Sequence, residues 1–294
     1  MSDQVIYHQV NKDHAYWTEK RKVGQPEGGH TAGLLSHVKD GAVVTSILFD
    51  AGLGTIEGLY DLVGFSWRDP LTVFVTHGHI DHHAELMLLA ELWCKRETAE
   101  KRGPLAVYCT GSDSEDPQGT MKSLRRVHAY GFSGGKTLAH VPISSERAVT
   151  LGIFTIHCID VDHFPGAVIF VVEFGHHKLV VGWDMKTLPD PDQFPLLKSP
   201  SLALVEANTW TALSQRTGHT SVEELVGTGF LQKLDASVEA PERYGVFLVH
   251  YGGGEDPGGT VSDGVLELRF RQTYPELSRL VGVARRGQTW TFQL

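Results

Sequence analysis

The sequence predicts a layered α/β domain, and three observations predict it. Short β-branched and aromatic runs bounded by turn residues occur in both halves of the chain. Four stretches of helical character are interspersed among them. The composition is globular: 294 residues, 41% apolar and 21% charged, is enough to bury a full core and too apolar for disorder. Strands interleaved with helices fold as layers, because each element must bury its apolar face against another.

In chain order, strands are expected at 43–49, 72–76, 105–109, 150–159, 167–174, 179–183, 202–205 and 246–249. Each is a run of Val, Ile, Leu, Phe or Thr, side chains that fit a pleated and buried surface. Helices are expected at 84–100, 120–129, 221–234 and 262–274. The third has Thr220-Ser221 ahead of Glu223-Glu224, a hydroxyl cap followed by acids that suit the positive end of a helix. Segment 110–147 is different, rich in Gly, Ser and charge with Ser133-Gly134-Gly135 near its middle, and reads as a surface excursion that would serve as a substrate lid. No repeat, low-complexity tract or Pro-rich linker forces a cut, so 1–294 reads as a single domain.

Lys+Arg 26 against Asp+Glu 35 leaves a net charge of -9, which argues against a protein built to wrap long nucleic acid. The three cysteines are an odd number without a CxxC, which excludes a disulfide framework and a cysteine zinc knuckle and makes a reducing compartment the expectation. No apolar run reaches membrane-spanning length and the N-terminus lacks signal-peptide character, so a soluble, cytoplasmic protein with no membrane partner is expected. Sixteen histidines direct attention to metal sites.

The richest cluster follows the strand at 72–76: His77-Gly78-His79-Ile80-Asp81-His82 packs three imidazoles and a carboxylate into six residues where an apolar run stops. Imidazole and carboxylate are ligands for zinc, manganese or iron. Alternation lets His77 and His79 point the same way, while Asp81 and His82 reach a second ion as the chain turns. The same pattern recurs. The run at 178–183 ends in Asp184, that at 201–205 in Glu206 and that at 245–249 in His250. Burying such groups unpaired costs several kcal/mol each, roughly, so a shared metal centre is the economical reading. His163, before Phe164-Pro165-Gly166, is a fifth candidate at a strand end. His83 abuts the motif and would support the ligands from behind.

This arrangement resembles the metallo-β-lactamase fold superfamily over nearly the whole chain, and Leu48-Phe49-Asp50-Ala51-Gly52 is similar to the early strand and Asp-Gly turn that precede the metal motif there. The resemblance implies a four-layer αβ/βα sandwich carrying two divalent metal ions, zinc by default, with manganese or iron as alternatives. It assigns His77, His79 and His163 to the first ion and Asp81, His82 and His250 to the second, with Asp184 bridging. Glu206 and His219, the latter in Gly218-His219-Thr220-Ser221, resemble the Glu–His couple of the RNase Z-like phosphodiesterase branch. A carboxylate against an imidazole raises its pKa, and the imidazolium can bind a phosphoryl oxygen or protonate a leaving alkoxide. The resemblance also makes Asp81 a steering group for the nucleophile's proton, and places His30 in an early loop as a substrate contact.

Two departures stand out. The bacterial tRNA-processing members carry a long arm between the positions of His163 and Asp184, an interval filled here by a hairpin over 167–183. Glu85 stands where many relatives have Gly. The remaining histidines read as structural or surface residues: His176-His177 on a hairpin turn, His157 within a strand, and His8, His14, His37, His128 and His140 without partners in sequence. Arg125-Arg126 and Arg285-Arg286 read as solvated surface.

The leading expectation is a dinuclear phosphodiesterase for a small or compact phosphodiester. Its short, armless form is similar to the anti-Pycsar relatives, which implies 3′,5′-cyclic nucleotides as substrates and a homodimer. Alternatives are a tRNA 3′-end endonuclease gripping RNA without an arm, a lactonase or thioesterase on the same metal scaffold, and a binding protein that kept the fold.

Overall fold

The computed structural model describes residues 3–11, 31–95, 103–111, 120–127, 137–211, 218–235, 245–251 and 263–294. The first half contributes β1 (Asp3–Asn11), β2 (Ala32–Lys39), β3 (Ala42–Phe49), β4 (Thr72–Phe74), β5 (Leu105–Thr110) and β6 (Leu138–Ile143). The second contributes β7 (Val149–Leu151), β8 (Phe154–Asp160), β9 (Val168–Phe174), β10 (His177–Gly182), β11 (Leu202–Glu206), β12 (Val246–Val249), β13 (Val281–Val283) and β14 (Thr289–Gln293). They form two seven-stranded sheets, in the orders β14-β1-β2-β3-β4-β5-β6 and β13-β12-β11-β10-β9-β8-β7.

The two sheets share one plan. From β14 to β3 neighbours are antiparallel, and from β3 to β6 they are parallel. In the second sheet β7 to β10 are antiparallel and β10 to β13 parallel. Parallel strands need crossover connections: α1 (Thr55–Asp61), α2 (Leu86–Lys95) and α3 (Thr120–Val127) lie in those of the first sheet, and α4 (Val222–Gly227), α5 (Phe230–Lys233) and α6 (Asp263–Thr273) in the last two of the second, while β10 reaches β11 through a loop with one short 3-10 turn at Pro195–Leu197.

Strand β9 shows why the chain stacks in layers. Val168, Phe170, Val172 and Phe174 enter the core between the sheets, where Phe170 packs 5.6 Å from Phe49 and 5.5 Å from Phe74, ring centre to ring centre. Ile169 and Val171 point the other way, into a core shared with Val222, Leu225, Phe230, Leu231, Leu266 and Phe270 of the helices. A strand apolar on both faces must be covered on both. The outer face of the first sheet is covered alike, by Leu59, Leu86, Leu89, Ala90, Trp93, Met121 and Leu124. The result is the expected four-layer sandwich, helices–sheet–sheet–helices.

Several elements depart from the sequence reading. The strand expected at 150–159 is a hairpin, because Gly152 turns at φ 59° between β7 and β8. The helix expected at 221–234 is broken at Gly229, φ 70°, into α4 and α5. Strands β1, β2, β6 and β13 were not expected, and the helix expected at 84–100 is described only as far as Lys95. Segment 110–147 is not a surface excursion throughout: β6 pairs in register with β5 from Leu138 to Ile143, and α3 buries Met121 and Leu124 against the sheet. The stretches of that segment at 112–119 and 128–136, where a lid would lie, are outside the described residues.

All three cysteines are free thiols. Among the described residues no helix is long and apolar enough to cross a membrane.

Candidate metal centre

Parallel strands carry their functional groups at their C-terminal ends, where the sheet opens. Here β3 delivers Asp50, β4 leads through Thr76 into His77, β10 into Asp184, β11 ends at Glu206 and β12 leads into His250. Asp50, Asp184 and His250 each take a left-handed backbone, with φ of 58°, 52° and 62°, so the chain bends sharply just after the strand. Such conformations in non-glycine residues cost about 1–3 kcal/mol each and gather at functional sites.

The structure brings seven of the expected residues into one buried cluster. His77, His79, His163 and Asp184 form one half and Asp81, His82, Asp184 and His250 the other, each able to offer a donor atom within 4.8 Å of the rest of its half. In the first half His79 Nδ1 lies 2.9 Å from His77 Nε2 and 3.1 Å from His163 Nε2, and Asp184 Oδ2 lies 3.2 Å from His77 Nε2. In the second, His82 Nε2 lies 2.7 Å from Asp184 Oδ2 and 3.4 Å from Asp81 Oδ2, while His250 Nδ1 approaches Asp184 Oδ1 at 2.7 Å. Donors of a tetrahedral ion with bonds of about 2.0–2.1 Å stand roughly 3.3 Å apart, and these separations bracket that figure.

The tautomers support the same use. His163 Nδ1 donates to the Gly218 carbonyl at 2.6 Å, so neutral His163 turns a bare Nε2 lone pair to the cluster. His82 Nδ1 donates to Asp50 Oδ2 at 2.6 Å with the same consequence. His82 Nε2 and both Asp184 oxygens are buried and make no hydrogen bond of acceptable geometry, despite their proximity. Lone pairs pressed together around an anionic carboxylate are repulsive unless a cation or protons lie among them. The donor set therefore fits a divalent metal.

Without a metal, protons do that work. Burial lowers His77 well below the usual imidazole range, and burial, then the neighbouring His163 imidazole, bring His79 down to about 4. His82 goes the other way: burial opposes its charge, but Asp184, Asp50 and Asp81 raise it well above the ordinary value. His250 is held at about 9, burial again opposing and Asp184 prevailing.

Supporting contacts set this geometry. Asp50, fully buried, also accepts from Thr76 N at 2.8 Å and Thr76 Oγ1 at 2.7 Å. Its role could have been read from the rule already applied to Asp184 and Glu206, an acid where an apolar strand ends. Gly78 lets the motif pass close to α3: a Cβ there would lie 2.7 Å from Ser123 Cβ. Ser123 Oγ donates to the Gly78 carbonyl at 2.6 Å, and His83 Nε2 lies 3.2 Å from the same oxygen.

Beside the cluster, His219 Nδ1 donates to Glu206 Oε1 at 2.5 Å and lies 3.5 Å from Asp184 Oδ1, with its ring 4.8 Å from that of His163. Burial opposes its charge, but the neighbouring Asp184 and Glu206 carboxylates raise it to about 10. Ser221 caps α4 immediately after, in a reciprocal capping box with Glu224. The interval between His163 and Asp184 holds only the β9–β10 hairpin. His30, His14 and His128 lie outside the described residues. His37 pairs with Asp3 at 2.6 Å, His157 with Glu173 at 3.0 Å, and His177 with the Gln293 carbonyl at 3.0 Å, all away from the cluster. Arg285 and Arg286 pair on the surface with Glu267 and Asp61.

Residues 45–241 match a family model described as a beta-lactamase superfamily domain. No curated protein sequence matches significantly. Among solved structures, the metallo-beta-lactamase fold protein YhfI from Bacillus subtilis is similar over 99% of this chain and 100% of its own, at 16% identity and a TM-score of 0.70. Zn(2+)-bound PqqB from Methylobacterium extorquens is similar over 97% and 99%, at 13% identity and 0.69. The short form of human tRNase Z is similar over 97% and 98%, at 15% identity and 0.61.

Proposed function

The chain belongs to the metallo-β-lactamase superfamily, and on that premise we propose that it is a dinuclear metal-dependent phosphodiesterase acting on a small or compact phosphodiester. The observation that carries the reading is the Glu206–His219 pair at the edge of the cluster. A lactonase or thioesterase needs no cation there, whereas a phosphodiester presents a charged phosphoryl oxygen and a poor alkoxide leaving group. The similarity to human tRNase Z supports the phosphodiester class, and the hairpin that fills the interval of the tRNA-binding arm supports a small substrate, with 3′,5′-cyclic nucleotides as the leading example.

His77, His79 and His163 would hold the first ion, Asp81, His82 and His250 the second, and Asp184 both. Zinc suits this nitrogen and oxygen set, and PqqB is described with it. Two such ions would supply Lewis acidity to the phosphoryl group and to a water nucleophile. Asp81 keeps 11% of its side chain exposed while Asp184 keeps 1%, so Asp81 is the carboxylate that would accept a hydrogen bond from the attacking water and steer its proton. His219, with Nδ1 engaged by Glu206, would donate from Nε2 to the leaving oxygen.

The test is turnover by metal-analysed protein of cyclic mononucleotides, bis(p-nitrophenyl) phosphate, precursor tRNA and a lactone panel. Cleavage of the cyclic nucleotide is expected, with His219→Ala lowering kcat by roughly 10²–10⁴ while both ions are retained. Turnover confined to lactones or thioesters would overturn the phosphodiesterase reading. Cleavage of precursor tRNA alone, with salt-steep affinity, would replace the small substrate by RNA.

A further inference from the structure

Glu85 follows the metal motif without joining the cluster, and its carboxylate makes a specific connection. Helix α1 starts after Gly54, which has φ 86° and no side chain with which to cap the helix. Glu85 reaches across from the other loop to do so: Oε1 accepts from Gly54 N at 2.9 Å and Oε2 from Ile56 N at 2.8 Å. A carboxylate taking two amides at the positive end of a helix makes charge-assisted bonds, about twice as strong as neutral ones. The backbone continues the join, because Glu85 N donates to Ala51 O and Ala51 N to His82 O, each at 2.8 Å. Two loops 31 positions apart are thereby fastened together, one carrying Asp50 and the other Asp81 and His82.

We propose that Glu85 is a positioning residue for the second-ion half of the centre. Its action passes through Asp50, whose carboxylate fixes the His82 ring only while the loop after β3 keeps its place. The first half is braced elsewhere, His163 by the Gly218 carbonyl and the His77–His79 loop by Ser123 on the Gly78 carbonyl. Loss of Glu85 therefore weakens one half selectively.

The inference rests on the two-ion reading above, and one experiment separates the two. Metal-free wild type, Glu85→Ala and Glu85→Gln are titrated with zinc against a chromophoric chelator, and their melting is followed in parallel. Two binding steps are expected in wild type; Glu85→Ala weakens one by about tenfold or more and moves the other by less than about threefold, on the scale of supporting-residue effects at metal sites. Glu85→Gln keeps one acceptor and falls between. Two wild-type steps that are unmoved in Glu85→Ala, or lowered equally, overturn the role of Glu85 alone, even if the melting temperature drops. Should the alanine variant fail to fold, Glu85→Gln decides: a selective loss supports the role and unchanged steps overturn it. A wild type that binds a single ion overturns the two-ion reading and this inference with it.

Discussion

Replacing Asp50 by Asn is the most direct test of how the centre is held. The side chain keeps its shape, but one oxygen becomes a donor. Asp50 Oδ1 accepts from Thr76 N at 2.8 Å, while Oδ2 accepts from Thr76 Oγ1 at 2.7 Å and from His82 Nδ1 at 2.6 Å. With the Asn oxygen in the first position, the amide NH₂ faces His82 and forces the other tautomer, which turns an N–H toward the ion. With the oxygen in the second, the NH₂ faces the Thr76 amide, donor against donor, inside a fully buried site. Either arrangement leaves a buried donor unmatched, at about 1–3 kcal/mol. At 1.4 kcal/mol per tenfold, that is a roughly 5- to 150-fold loss of affinity for the ion His82 would hold. Part is returned, because burial pushes the Asp50 carboxyl up and Asn carries no charge to desolvate. A chelator-competition titration reads the affinity, and imidazole ¹⁵N shifts read the tautomer. Unchanged affinity with His82 still protonated on Nδ1 would refute this account of the site.

Further outcomes follow from the same structure. Metal loading near neutral pH should release protons, because His82 and His250, the latter at about 9, hold them in the metal-free cluster and must surrender them to a cation. Affinity should therefore rise with pH up to about that value, which calorimetry in buffers of different ionisation enthalpy would show. Phe170→Ala, which empties the contact between the sheets, should cost about 3–5 kcal/mol in denaturant unfolding. Ser221→Ala removes the hydroxyl that accepts from Glu224 N in the capping box beside His219, leaving only the Ser221 N–H on the Glu224 carboxylate, and should cost about 1 kcal/mol of stability by thermal melting.

The centre was legible in the sequence because its ligands sit at the ends of uninterrupted apolar strands. His77 to His82, Asp184, Glu206 and His250 all follow that rule, and Asp50 obeys it without having been given a role. Strands β1 and β2 were hidden for physical reasons. In β1 the core-facing alternation runs Val5, Tyr7, then buried Gln9 and Asn11, whose polarity breaks the apolar pattern. In β2 Gly33 is required because a Cβ would lie 1.9 Å from Tyr7 Oη, so the strand carries a residue that strands avoid. Gly152 and Gly229 were visible but lay inside otherwise continuous patterns, and only the backbone reveals the turns they make. The bonds from Glu85 to Gly54 and Ile56 join residues whose spacing carries no local signal.

The pairing of β1 with β14 bears on the order in which the molecule can assemble. His8 and Thr289, 281 positions apart, meet across adjacent strands. One edge of the first sheet therefore closes only after residues 289–293 have been made, long after its partner strands β1 to β6 have left the ribosome. Until then β1 offers an open edge, the kind of surface on which incomplete β-proteins aggregate. The cluster is equally late, since His250 follows β12 and His77 follows β4. The complete donor set therefore comes together only once long-range pairing has built it, and refolding should be slow for the same topological reason.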